Sequence, residues 1–180
     1  MKQLLLICAV VALVGGCAST PAWVSDPSDP NNIIIEKQIR FYAERTGIAE
    51  ADLTKVTRLN LGRKQLTSAK GLEKLTQLTH LQLNDNQLTE RPKGLEKLTQ
   101  LKYLNLSDNK LTDVKGLENL TQLKTLYLNF NKLTDVPKGL EKLTKLTKLD
   151  LADNSALTKT QIDALKKALP KCLIISNPTK

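Results

Sequence analysis

The chain has 180 residues, 41% hydrophobic and 25% charged, with a formal net charge of +9. The length permits one domain plus a tether, with no room for a separate catalytic domain. Its single His and three Cys fall in no metal-ligand spacing, and no phosphate-binding loop appears.

Residues 1–16 read as an address rather than as fold. Lys2 gives a minimal basic start, and Leu4 to Val14 is an apolar run too short to remain as a membrane-spanning helix. Val14-Gly15-Gly16-Cys17 then resembles the lipobox of bacterial lipoproteins. The resemblance implies that Cys17 receives a diacylglyceryl group and that the signal peptide, residues 1–16, is removed. An ordinary secretory signal is the alternative. Ala18 stands where Asp would resemble an inner-membrane retention signal, so the outer membrane is expected if the cell has two membranes. Residues 17–33 read as a flexible, lipid-anchored tether rich in Pro, Ser, Asp and Asn. Trp23 has two readings, at the bilayer interface or packed on the domain.

Residues 34–54 are expected to form a helical N-terminal cap. Ile35, Ile39 and Tyr42 share one helical face, with Phe41 and Ala43 beside it. Asn32 is the expected N-cap, and Gly47 the stop.

Residues 55–157 are dominated by a repeat. Five copies begin at Val56, Leu78, Leu101, Leu123 and Leu146, spaced 22, 23, 22 and 23 residues apart. Leu at positions 4 and 6 of each copy alternates with mostly polar neighbours, the period of a half-buried strand. A second apolar pair, such as Leu95 and Leu98, has the i, i+3 spacing of one helical or 3₁₀ turn. One copy cannot bury these leucines, but stacked copies can. Asn86, Asn109 and Asn131 sit where the chain leaves the strand, and a side-chain amide there can serve buried backbone donors and acceptors. Asn154 continues the column, whereas the first copy has Lys64 in its place. Three copies carry L-x-x-L-x-L-x-x-N-x-L in full, and this pattern resembles the leucine-rich repeat family. The resemblance runs from about Val56 to Leu157, with internalin-like repeats. It implies an α/β solenoid with a short parallel sheet on its concave face.

Residues 158–180 read as a C-terminal cap and tail. Thr160 and Asp163 are the expected capping pair, Ile162, Leu165 and Leu169 the buried face, and Pro170 the stop. Leu173, Ile174 and Ile175 read as a last strand. This run resembles the closing segment of bacterial leucine-rich repeat proteins. Cys172 is expected to be a buried, inert thiol, since Cys8 leaves with the signal and Cys17 is acylated.

Positions 3, 5, 7 and 8 of each copy are expected to face outward on the concave side. Three of the six aromatic residues fall there, Tyr103, Tyr127 and Phe130, together with the single His, His80. Tyr103 and Tyr127 are diagonal neighbours roughly 7–8 Å apart. With Gln82, Asn105 and Asn129 they form the candidate partner-binding set, because exposed Tyr among amides is the make-up of interface cores. The competing explanation is that aromatic residues simply favour strands. The Asp85, Asp108 and Asp153 column reads as solvated rather than as a Ca²⁺ or proton-sharing site, so no enzyme, cofactor or metal is expected.

The function expected is that of a membrane-anchored, monomeric protein-binding module. The alternative is a basic envelope protein that binds anionic glycan or lipid head groups. Loss of residues 1–16 removes only Lys2 among charged groups and leaves +8. Lys93, Lys97, Lys115, Lys138, Lys142 and Lys145 are scattered over outer turns, and the export signal argues against nucleic acid.

Overall fold

The structure, a computed structural model, describes residue 26 and residues 28–177. The expected signal peptide, Cys17 and Trp23 lie outside the described residues.

Six strands of three residues each form one parallel sheet in the order β1 to β6: Arg58–Asn60, His80–Gln82, Tyr103–Asn105, Thr125–Tyr127, Lys148–Asp150 and Leu173–Ile175. Each pairs with the next in sequence, so copy follows copy without crossover. The register aligns Leu59, Leu81, Leu104, Leu126, Leu149 and Ile174 in one buried central column. Side chains to either side of that column point the other way, toward the open face.

The return half of each coil is a single 3₁₀ turn, at Leu72–Lys74, Leu95–Lys97, Leu117–Asn119 and Leu140–Lys142. Leu95 and Leu98 and their counterparts are buried against the back of the sheet leucines. A glycine in the left-handed region precedes each turn. At Gly94 (φ 78°) an added Cβ would stand 2.4 Å from Cβ of Glu73 in the previous coil. Neither the backbone angle nor the stacking distance admits a side chain there.

The asparagine column ties the coils together. Nδ2 of Asn109 donates to the carbonyls of Leu83 (2.9 Å), in the previous coil, and Leu106 (3.2 Å), in its own. Its Oδ1 accepts from the Leu88 N–H (3.0 Å). Asn86, Asn131 and Asn154 repeat the pattern. Each amide reaches back one coil. Among the described residues the first copy is preceded by a helix, Pro30–Thr46, rather than by a coil, which explains why Lys64 is tolerated there. Asn109→Ala is expected to strand a buried N–H and carbonyls, at about 1–3 kcal/mol for each unsatisfied group. A urea midpoint equal to wild type would contradict that role.

Helix α1, Pro30–Thr46, closes the N-terminal end with Ile35, Ile39 and Ala43 buried and Tyr42 half-buried. Its N-cap is Asp29, not Asn32, and the helix reaches back into the segment expected as tether. Asp29 accepts from the Asn31 N–H (2.8 Å), and Pro30 takes the first helical position, where a missing N–H costs nothing. Asn32 is buried, its amide donating to the Asp26 carbonyl (2.9 Å). Gly47 ends the helix in the left-handed region, as expected. Phe41 is exposed rather than packed, with the Arg45 guanidinium 5.6 Å from its ring centroid.

Helix α2, Lys159–Ala168, caps the other end through Ile162, Leu165 and Leu169. Its N-cap is Thr158 in a capping box with Gln161, correcting the expected Thr160 and Asp163. Gln161 also donates to Asp135 (2.7 Å), fastening the cap to the last full coil. Cys172 is half-buried rather than buried, and its partial burial pushes the thiol pKa up.

Candidate functional site

The parallel register builds the site. Position 3 of the copies forms the column Arg58, His80, Tyr103, Thr125, Lys148, and position 5 forms Asn60, Gln82, Asn105, Tyr127, Asp150. His80 and Tyr103 are direct neighbours across β2 and β3, with centroids 5.9 Å apart and planes inclined by 19°. Tyr103 and Tyr127 are diagonal across β3 and β4, centroids 5.8 Å apart and tilted by 55°. The Lys148 ammonium stands over the Tyr127 ring, 4.9 Å from its centroid. The result is one continuous row, His80, Tyr103, Tyr127, Lys148, lying obliquely across the open sheet above the leucine core. Lys148 was legible only as one more outward position. Its place in the row depends on the cross-strand register.

The electrostatics follow from this crowding. Burial, then the nearby charges of Arg58 and Lys102, hold the His80 pKa below its ordinary value, so the imidazole is neutral at pH 7. Its Nδ1 is 2.9 Å from Thr79 Oγ1. Burial also raises the Tyr103 phenol, helped by Tyr127. Tyr127 raises the Lys148 pKa, so that side chain stays cationic.

The amide members divide. Gln82 lines a shallow hollow of about 230 Å³ with Asn60, Gly62, Arg63 and Asn84, toward the N-terminal end of the sheet. Asn105 turns its carbonyl oxygen back to the Ser107 N–H (3.0 Å), shaping the chain where it leaves the strand. Asn129 is half-buried, with Oδ1 enclosed and, among the described residues, without a hydrogen-bond partner. Position 7 does not uniformly face outward: Ser107 is buried, because the strand ends at position 5 and the chain turns inward. Position 8 is held in the left-handed region, at φ 56° for Asp85, 53° for Asp108 and Phe130, and 56° for Asp153. Asp adopts that conformation readily, whereas Phe does so at a cost of about 1–2 kcal/mol. Phe130 nevertheless projects outward and is 52% exposed.

Among the described residues no helix is long and apolar enough to cross a membrane, and no three His, Cys, Asp or Glu side chains converge on a metal site.

A short-coiled parallel solenoid with a polar and aromatic open sheet face defines a class of repeat protein. The family model described as leucine-rich repeats (2 copies) matches residues 76–119, 99–138 and 121–167, together just over half of the chain. The chain belongs to the leucine-rich repeat family. It is similar to an internalin, InlF, of Listeria monocytogenes, at 29% identity and a TM-score of 0.69, over 84% of this chain and 47% of the internalin. A leucine-rich repeat protein of Leptospira interrogans is 30% identical with a TM-score of 0.57, over 68% of this chain and 38% of that one. Internalin C2 of Listeria monocytogenes, 24% identical with a TM-score of 0.58 over 83% of this chain and 77% of its own, shares the fold. The chain thus spans about half the length of InlF and less of the Leptospira protein. No curated protein matches it. Leucine-rich repeat domains generally mediate protein–protein interactions, and the internalin-like fold is typically non-catalytic.

Proposed function

We propose that this protein is an exported, lipid-anchored, non-catalytic module that binds a protein partner on its concave face. The observation that supports the binding surface best is the row of His80, Tyr103, Tyr127 and Lys148. The leucine layer beneath is closed without these side chains, so their place on the open face is not needed for the core. Tyr gives contact area and a hydrogen bond for little conformational entropy, and interface cores are enriched in it. Phe130 adds an exposed apolar side chain on a strained backbone, a feature that clusters at functional sites.

The test is capture of envelope proteins by the chain from Ala18 onward, which holds all the described fold, at low and at high salt. A protein partner retained at high salt supports this reading. Loss of all binding favours anionic glycan or lipid held by the exposed Lys97, Lys138 and Lys142 on the outer side.

The anchor rests on the sequence around Cys17. One acyl chain binds membranes marginally, while two or more hold a protein stably. Cys17→Ser is therefore expected to release the protein from the membrane fraction. A variant that sediments with membranes like wild type would remove lipid from the proposal and leave the concave face untouched.

A further inference from the structure

The concave face has a direction, and the direction constrains the partner. Up to and including the first residue of each strand, residues 76–80, 99–103, 121–125 and 144–148 contain no Asp or Glu. They contribute Lys102, Lys124 and Lys148, while Lys145 donates to Gln122 (2.6 Å), and Arg58 adds another cation from the first copy. Downstream, position 8 carries Asp85, Asp108 and Asp153, and Arg63 is tied to Asp85 by an ion pair of 3.1 Å. The aromatic row runs between a basic rim and a mainly acidic one. Burial is the larger cause of the depressed His80 pKa, and Arg58 and Lys102 lie near enough to that ring to add to it.

Ring orientation narrows the ligand further. Tyr103 has His80 stacked on one side and Tyr127 on the other, at 5.9 and 5.8 Å. Lys148 stands over the Tyr127 ring. His80 and Tyr103 are stacked, whereas Tyr127 is tilted by 55° to Tyr103 and has the Lys148 ammonium over its ring, so ring edges and polar tips are part of what the row presents. A sugar ring stacks on an aromatic face, and Lys148 already stands over that of Tyr127. Ring edges are the positive part of the aromatic quadrupole, and phenol and ammonium groups donate hydrogen bonds. Edges, donors and a cationic rim together suit carboxylates.

We infer that the partner bound by the concave face presents a cluster of Asp and Glu side chains to the upstream rim, where Lys102, Lys124 and Lys148 meet the row. This rests on the concave-face reading and adds the chemistry and orientation of its ligand. The acidic downstream rim disfavours the reversed orientation, because like charges across an interface repel. The contact is charge-assisted at one edge and aromatic at its centre, so salt weakens it without abolishing it.

The test is an NMR titration of the chain from Ala18 onward with a short oligo-glutamate peptide. Polygalacturonate and oligo-lysine run in parallel as carboxylates on a sugar and as the opposite charge. Oligo-glutamate is expected to shift the signals of His80, Lys102, Tyr103, Lys124 and Lys148, and to leave those of Lys97 and Lys142 in place. Lys102→Glu with Lys124→Glu is expected to weaken this binding at least about tenfold, while Lys97→Gln with Lys142→Gln changes it less than about twofold. Both pairs are exposed, so an unchanged urea midpoint certifies the fold. The inference is overturned by shifts spread evenly over all lysines, by no binding of oligo-glutamate, by tighter binding of polygalacturonate, or by oligo-lysine on the upstream rim. If the Tyr103 and Tyr127 variants lose an envelope partner while oligo-glutamate ignores the row, the concave site stands and its acidic ligand falls. If oligo-glutamate binds the row but the Tyr variants keep their partner, the concave-face reading falls, and this inference falls with it.

Discussion

Leu106→Ala is expected to lower the unfolding free energy by about 2–5 kcal/mol, the range for truncating a buried leucine whose surroundings relax only in part. Leu106 is fully buried in the central copy, with a coil on either side. Its backbone is pinned as well: its N–H donates to the Tyr127 carbonyl (2.9 Å), and its carbonyl accepts from Asn131 (2.9 Å) and Asn109 (3.2 Å). The coil therefore cannot slide inward to fill the cavity. In a solenoid each coil contacts only its neighbours, so a central defect weakens two interfaces at once. Lys110→Ala is the control, four residues on. Its side chain is exposed and its N–H donates to the Leu88 carbonyl (2.8 Å), a bond that Ala keeps, so the change is expected to stay under about 0.5 kcal/mol. Equal falls in the urea midpoints of the two variants would show that the assignment of inside and outside is wrong.

That assignment was readable from sequence because leucine spacing is the constraint on burial itself. Leu104 and Leu106 must share the inward side of a strand, and Leu95 and Leu98 must share one turn behind it. This arrangement buries all four. The asparagine column was readable for the same kind of reason, since Asn109 serves backbone groups that no strand partner reaches. The helix starts were misplaced although their signals were present. Asp29-Pro30 is the stronger N-terminal pair, because Pro is pre-shaped for the first helical position, whereas Asn32 lies inside the helix and is buried. Thr158-Lys159-Thr160-Gln161 is a complete capping box, in which Gln161 Oε1 accepts from the Thr158 N–H, while the same amide donates outside the box to Asp135.

The site was only half legible. Outward positions follow from the strand period, so Tyr103 and Tyr127 could be singled out. Their grouping with His80 and Lys148 depends on the register between copies of 22 and 23 residues, and on side-chain rotation that no spacing encodes. Asn105 and Ser107 show the limit from the other side. Both are polar and fall at expected outward positions, but one shapes the turn and the other is buried within it.

Tyr103→Ala and Tyr127→Ala are each expected to weaken binding of a concave-face protein partner by about 2 kcal/mol or more, roughly thirtyfold, as for aromatic hot spots. Both side chains are half-buried on the open face, outside the leucine layer. Tyr103 carries the larger expectation, because its removal also takes the stacking partner from His80 and one of the two neighbours from Tyr127. The two losses are expected to add to less than their sum, since the rings touch. Folding is expected to survive, with urea midpoints far closer to wild type than that of Leu106→Ala. Replacing Lys97 and Lys142 by Gln, on the outer turns, is expected to leave the protein partner's affinity unchanged. The decisive comparison is between these two sets measured on one partner at two salt concentrations. Binding that survives loss of both tyrosines but falls with the outer lysines, and more so at high salt, would move the site from the concave face to the basic outer surface.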